Sequence, residues 1–349
     1  MNKIIGHPKI AILGDVYHSD DLGKAGAPDQ AFSPSGGYGK LFDSLLKAAG
    51  IDRKQCLVTN VFNIRPSSND IDNILVNKKD SVPGWPRIKA GKYLPRALIP
   101  ELKRLYAELE AYKPDLIIPL GSTALWAVTG ATGLAKRHGF LHSYKGIPVI
   151  PTMHPQTVMR KYTTFMPAVN DMLRAVAFVT GEIQEETFEY IEEATAADLR
   201  EFAATIKPHE VISYDIETRP KYRSITCIGV GTSKFALCVN FFNPKKPGQS
   251  HFPDLQSELD AWDAVQEILM LPNPKIGQNI LYDLTWNKAI MGLDMLGSVI
   301  DTRLAHFALF PELPHNLAEL VGANLMMPPW KALHAHGFSN DDSAGDGND

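Results

Sequence analysis

Short apolar runs alternate with helical patterns through the first half of this chain, and that alternation restricts its fold more than any other feature. Runs at 9–13, 57–62, 116–120 and 147–150 have strand length and end in turn residues. Between them Leu41, Phe42, Leu45, Leu46 and Ala49 recur at helical spacing before Gly50. Leu98, Leu102, Leu105, Tyr106 and Leu109 mark a longer helix. Pro100 suits that helix only in its first turn, where an N–H would have no helical acceptor anyway. Helical patterns at 121–128 and 168–179 complete the series. Strands alternating with helices predict a largely parallel sheet, whose ligands gather at the C-terminal strand ends.

The pattern changes after an acidic stretch. Residues 182–201 hold eight carboxylates against Arg200, a composition that predicts a linker over 182–208 with a short helix at 196–206. Three β-rich runs follow at 211–216, 224–231 and 235–241, as in a meander. Helical patterns at 259–270, 281–291, 302–310 and 317–321 come after them. The expectation is an α/β chain of two domains, 1–181 and 209–338, with a disordered acidic tail at 339–349.

Composition narrows the function classes. Charged residues are 21% and hydrophobic ones 44%, as in folded globular chains. No apolar run reaches the roughly 18 residues of a membrane span, and His7, Pro8 and Lys9 interrupt any signal-peptide core. A cytoplasmic protein is expected, in the host cytoplasm if a phage encodes it. Cys56, Cys227 and Cys238 form no C-x-x-C pair, which argues against a disulfide framework or zinc ribbon. The net charge of -4 excludes a uniformly basic nucleic-acid coat. Local basic stretches remain: residues 63–104 carry nine Lys/Arg against four Asp/Glu, and 131–161 carry five and no carboxylate. Such stretches suit phosphate at one face, and equally suit ordinary solvated surface.

The second half carries a carboxylate pattern. Asp215 and Glu217, in Tyr214-Asp215-Ile216-Glu217-Thr218, alternate on a strand and so project from one face. Two close carboxylates repel unless a cation lies between them, which suits a divalent metal. Further on come Gly277-Gln278-Asn279-Ile280-Leu281-Tyr282-Asp283-Leu284, then Asp301-Thr302-Arg303-Leu304-Ala305-His306, then Pro311-Glu312-Leu313-Pro314-His315-Asn316. In this order the segments resemble the exonuclease motifs of DEDD-type 3′–5′ proofreading exonucleases, as carried by A-family DNA polymerases including those of phages. The resemblance covers about 209–330. It implies a ribonuclease-H-like fold and two-metal hydrolysis with Mg²⁺ or Mn²⁺ held by Asp215, Glu217 and Asp283. Thr218 and Asn279 would contact the terminal nucleotide or order the site. Asp301 suits either the site or an N-cap for the helix at 302–310. The family places a fourth carboxylate on a late helix, in a Tyr-x-x-x-Asp or His-x-x-x-x-Asp pattern. No tyrosine follows Tyr282, and His336 to Asp341 has the histidine spacing among poor helix formers. The expectation is a partner polymerase chain that supplies this group, with Asp341 as the alternative.

The first half carries Gly14-Asp15-Val16-Tyr17-His18, Phe32 in a Pro/Ser/Gly loop, Thr59-Asn60-Val61, Leu120-Gly121-Ser122-Thr123 and Met153-His154-Pro155-Gln156. Together these resemble the uracil-DNA glycosylase superfamily over about 8–180. A glycosylase extrudes a base, stacks it and reads its Watson–Crick edge. The resemblance makes Asp15 the water activator, Phe32 the stacking ring, Asn60 the reader of the uracil edge, and His154 the group that stabilises charge on the base. Asp15 also suits a turn carboxylate, Phe32 a packed loop ring, Asn60 a turn cap and His154 a loop histidine. Where iron–sulfur subfamilies keep cysteine, this chain has Asn63-Ile64-Arg65-Pro66, so no cluster is expected.

The reading is a DNA replication or repair protein: a glycosylase-like DNA-binding domain joined to a 3′–5′ exonuclease domain, as part of a split phage-type polymerase. The alternatives are an active uracil-DNA glycosylase with an accessory exonuclease-like domain, and a non-catalytic binding and assembly module.

Overall fold

A computed structural model describes residues 7–21, 30–219, 223–243, 246 and 249–329. Asp341 and the tail at 339–349 lie outside the described residues. The described residues form two compact units, one within 1–186 together with 318–329, the other within 187–317.

The first unit is the expected mostly parallel sheet. Its elements are β1 (Ile10–Val16), α1 (Gly37–Ala48), β2 (Leu57–Phe62), α2 (Ile99–Tyr112), β3 (Leu116–Pro119), α3 (Ser122–Thr129), β4 (His142–Tyr144), β5 (Ile147–Val149), α4 (Pro155–Arg160) and α5 (Phe165–Val179). Pro100 falls in the first turn of α2, and Gly50, at φ 69°, follows the end of α1. Strand order is β2-β1-β3-β5-β4, parallel except for the β4–β5 hairpin. Ile12 and Leu13 are fully buried on opposite faces of β1, since layers of helices cover both sides. The order reverses at β1, which opens a crevice at its C-terminal end, where Asp15 lies.

Residues 318–329, within the 209–338 stretch, cluster with this first unit. Helix α10 (Leu317–Asn324) leads into an extended stretch whose Met326 is 2% exposed within the core of the first unit. Backbone bonds fix it there: Leu141 N donates to Met327 O at 3.0 Å and Glu186 N to Met326 O at 2.8 Å. Gly139, at φ 74°, lets the two backbones meet, since a Cβ there would lie 2.4 Å from Gly322 O. His138 is held between Asp171 and Glu319, each at 3.0 Å. Burial opposes charge on this imidazole, but hydrogen bonds to Asp171 and Glu319 outweigh it and push its pKa up to about 10.

The second unit contains β6 (Glu189–Ile191), α6 (Ala196–Thr205), β7 (Ile212–Arg219), β8 (Ser224–Gly231), β9 (Phe235–Asn240), α7 (Leu255–Leu269), β10 (Lys275–Gly277), α8 (Leu281–Trp286), β11 (Val299–Asp301) and α9 (Thr302–Leu309). Its sheet runs β11-β10-β7-β8-β9-β6. Antiparallel β7–β8–β9 is the expected meander, flanked by parallel β10 and β11. The acidic stretch is more than a linker: β6 pairs in parallel with β9 at the sheet edge. Its carboxylates can stay in water there while its backbone pairs. Helix α6 opens on a reciprocal Thr195–Asp198 capping box, and Leu199 and Phe202 enter the core beside α7.

The candidate active sites

Strand β7 sorts its side chains by alternation. Tyr214 and Ile216 are buried against the helices, while Asp215 and Glu217 are exposed on the other face. A bulge follows between Glu217 and Thr218. Helix α8 brings in the third carboxylate: Asp283 is 4% exposed, and its Oδ1 accepts from Ile216 N at 2.9 Å. That bond seats Asp283 against β7 at the residue between the other two acids. Below it Tyr214 OH donates to buried Asn287 Oδ1 at 2.9 Å, which ties the π-helical turn Asn287–Met291 to the strand.

Burial raises the pKa of Asp283 to about 7, and the charges of Asp215 and then Glu217 add to it. The oxygens of these three acids do not all lie within 4.8 Å of one another, so a hard divalent cation would have to draw them together, and it would favour the ionised form of Asp283. Metal affinity should therefore rise with pH through about 7.

The same shift makes a stability forecast. A carboxyl group whose folded pKa lies above its unfolded value stabilises the fold below about pH 4, and that stabilisation is lost as pH rises to about 7. Asp283→Asn should raise the stability of metal-free protein at pH 8 by up to about 4 kcal/mol and leave it nearly unchanged at pH 4. Thermal melts at both pH values, with and without Mn²⁺, check this. Added Mn²⁺ should stabilise the parent and not the variant.

The remaining expected residues of this unit are placed as follows. Thr218 Oγ1 lies 2.6 Å from Tyr282 OH, so the hydroxyl after the bulge is joined to α8. Asn279 has a left-handed backbone, φ 59°, and its Oδ1 accepts from Arg303 at 3.2 Å. Asp301 is an N-cap: its Oδ1 accepts from the backbone N–H of Arg303, Leu304 and Asn279 at 2.8, 3.3 and 3.1 Å.

In the first unit, the expected residues converge at the C-terminal ends of β1 and β2. Gly14 and Asn60 are register partners, and a Cβ at Gly14 would lie 2.3 Å from Asn60 Oδ1 and 2.7 Å from the Phe32 ring. Only glycine admits that approach. Phe32 is buried, with its ring centroid 4.6 Å from that of Phe42 and 5.4 Å from that of His154. Asp15 Oδ1 is 3.4 Å from His154 Nε2 and 3.9 Å from His18 Nε2. Burial works against ionisation of Asp15, but the His154 imidazole, hydrogen bonding to it and the Val16 N–H together hold its carboxyl below the ordinary range.

Asp15, His18 and His154 form the one such cluster among the described residues with ligand atoms all within 4.8 Å. Its chemistry favours proton handling over a metal. His154 Nδ1 accepts from Gln156 N at 3.1 Å, so the neutral ring carries its proton on Nε2. Nε2 is then a donor with no lone pair for a cation. Asn60 Nδ2 is buried without a hydrogen-bond partner among the described residues, a costly arrangement outside a ligand pocket, and His154 Nε2 faces Asp15 Oδ1 at 3.4 Å.

Sequence reasoning assigned no role to His18 or Asp21. Buried Asp21 accepts from the backbone of His18 at 2.9 Å and Ser33 at 2.8 Å, fixing the loop that carries Phe32. Arg104, expected within a DNA-gripping stretch, instead faces inward. It donates to the carbonyls of Asn60 and Val61 at 2.7 and 3.1 Å and pairs with Glu101 and Glu108. Lys89 likewise pairs with Asp72. The i, i+3 and i, i+4 carboxylates around Arg104 were the available signal.

Residues 9–177 match the family model of the uracil DNA glycosylase superfamily, and residues 190–332 that of a 3′–5′ exonuclease. A DNA polymerase of Bacillus phage SP01 is 30% identical over 101 residues, 28% of this chain and 11% of that protein. The match thus spans a small part of that relative's length. Among solved structures, the catalytic core of RRP6 from Trypanosoma brucei shares 17% identity over 39% of this chain and 34% of its own, at a TM-score of 0.29. Escherichia coli RNase D shares 18% over 39% and 32%, at 0.27. No helix among the described residues is long and apolar enough to cross a membrane. The chain thus carries, in order, a region similar to the uracil DNA glycosylase superfamily and a region similar to 3′–5′ exonucleases.

Proposed function

We propose that the chain removes nucleotides from DNA 3′ ends in a metal-dependent, proofreading-type reaction, as the N-terminal part of a phage-type DNA polymerase. The observation that carries this reading is buried Asp283, bonded to the backbone between Asp215 and Glu217 and held near neutrality. Mg²⁺ or Mn²⁺ bound there supplies an activated water and charge stabilisation for the departing 3′ oxygen. Asp215 and Glu217 hold the ions from the strand, and Asp283 does so from α8. Thr218 and Asn279 order the terminal nucleotide. Incubating 3′-ended single-stranded DNA with the protein and Mn²⁺ tests the reading, with loss of 3′ nucleotides expected.

A polymerase chain as partner is supported by an exposed apolar surface on this unit. Edge strand β11 and helix α9 leave Ile300, Leu304, Phe307 and Leu309 between 38% and 72% exposed. Patches of this kind mark interaction surfaces. A partner helix seated there would bring the fourth carboxylate.

For the first domain the reading is a DNA-gripping pocket for an extruded base. Unpartnered Asn60 Nδ2 would meet an acceptor of the base, with His154 and Phe32 beside it. Asn60→Ala should weaken binding of uracil-containing single strands by about tenfold, as expected for a buried base-reading bond. A second reading, uracil excision, is favoured by the ionised Asp15 beside the His154 donor. Alkali-labile abasic sites that form with the parent and vanish with Asp15→Asn would assign it.

Lys136 and Lys161 are exposed within the 131–161 basic stretch, whereas Arg137 Nε is engaged by Thr132 O at 2.9 Å. Reversing both lysines to glutamate should flatten the dependence of log affinity on log salt by roughly 0.7 per lost single-strand phosphate contact. An unchanged slope would make them solvated surface.

A further inference from the structure

The end of β7 that carries Asp215 and Glu217 also borders a cavity. Past the bulge, the chain reaches Arg219, and across the β7–β8 turn Arg223, over a cavity of about 520 Å³. Its walls include Phe242, Gln249, Glu258 and Trp262. The size suits one small ligand, since ligand pockets run from about 300 to 1,000 Å³.

Its chemistry is specific. The Arg219 guanidinium lies over the Phe242 ring, its Cζ 3.9 Å from the ring centroid, so that a cation and an aromatic face meet at this wall. Trp262 stacks on Phe241 at 3.7 Å, which fixes an indole in the lining. Arg223 is exposed and makes no hydrogen bond or ion pair among the described residues, so its donors are available at the mouth. Glu258 and Gln249 add acceptors on the walls; with two arginines against one carboxylate the lining is net positive. Planar surfaces beside a guanidinium suit a base joined to a phosphate. Bulges re-aim the side chains that follow them, and this one separates Glu217 from Arg219. The four steps along the strand from Asp215 to Arg219 span roughly 13 Å, about two nucleotides of a single strand.

We propose that this cavity is a subsite for one nucleotide unit, with its base against the Arg219–Phe242 pair and its phosphate on Arg223. Two sources share that chemistry: a nucleotide within the single strand approaching the carboxylates, and a free mononucleotide. The strand assignment rests on the exonuclease reading; binding at the cavity does not.

The test uses the full chain in an Asp215→Ala background with EDTA, so that it is independent of nuclease activity. Affinities for a twelve-residue oligothymidylate and for thymidine 5′-monophosphate are measured with Arg223→Ala and Phe242→Ala added separately. Oligonucleotide affinity should fall about tenfold in each, as for loss of one stacked or ion-paired nucleotide. Arg223→Ala should also flatten the salt slope by about 0.7. Loss confined to the oligonucleotide assigns the cavity to a strand, and parallel loss of mononucleotide binding assigns it to free nucleotides as well. Should Phe242→Ala melt early, exposed Arg223→Ala still decides. Oligonucleotide affinity and salt slope unchanged by Arg223→Ala, or no measurable binding by the parent background, overturns the proposal.

Discussion

Asp215→Ala is expected to slow metal-dependent removal of 3′ nucleotides by about a thousandfold or more, since loss of a metal position removes several kcal/mol of transition-state stabilisation. The geometry explains why this residue matters most. Asp215 shares the exposed face of β7 with Glu217. After burial, its charge is the largest contributor to the raised pKa of Asp283. Its charge therefore acts on Asp283 more strongly than that of Glu217 does. Ser213 sits two residues earlier on the same exposed face and serves as the control. Ser213→Ala should retain the parent rate, and quench-flow or gel assays on labelled single strands read both. Parent-like activity in purified Asp215→Ala would remove the site from β7.

The second large effect concerns the fourth carboxylate. Hard divalent ions prefer about six oxygens, and with three protein carboxylates one ion must complete its shell with water. The chain alone should then be a weak nuclease, and adding the polymerase chain should raise its rate by about a hundredfold, the range of a lost electrostatic group. Mutating the partner's aspartate should remove that gain. The exposed side chains on α9 add a separate arm: Phe307→Asp should abolish stimulation while leaving the basal rate, because it blocks docking and not chemistry. If Asp341 completes the site in cis, the chain alone is fully active and truncation after Gly337 silences it. That outcome would refute the shared site.

Much of this was legible in local pattern. The alternation in Tyr214 to Glu217 foretold which side chains face the core, because a strand has a period of two and one face here is buried. The parallel sheet of the first domain followed from its helix–strand alternation, as did Asp15 and Asn60 at strand ends. What escaped was long-range. Strand β6 hides in an acidic stretch because an edge strand needs only backbone pairing, not apolar side chains. The return of residues 318–327 to the first unit depends on Gly139 meeting Gly322 and on His138 between two acids, pairings far apart in sequence. The inward turn of Arg104 toward Asn60 is likewise set by tertiary contact: composition counted it as surface charge. Asp301, open between two roles, became a cap because three N–H groups converge on one oxygen.

One measurement tests the central claim most directly. A single-stranded oligonucleotide labelled at its 5′ end is followed with time in Mg²⁺ or Mn²⁺, with the parent protein and with Asp215→Ala. The account predicts a ladder that shortens one nucleotide at a time from the 3′ end, that stops in EDTA, and that is absent with the variant. Products cut internally or from the 5′ end, or the same ladder from Asp215→Ala, would contradict it.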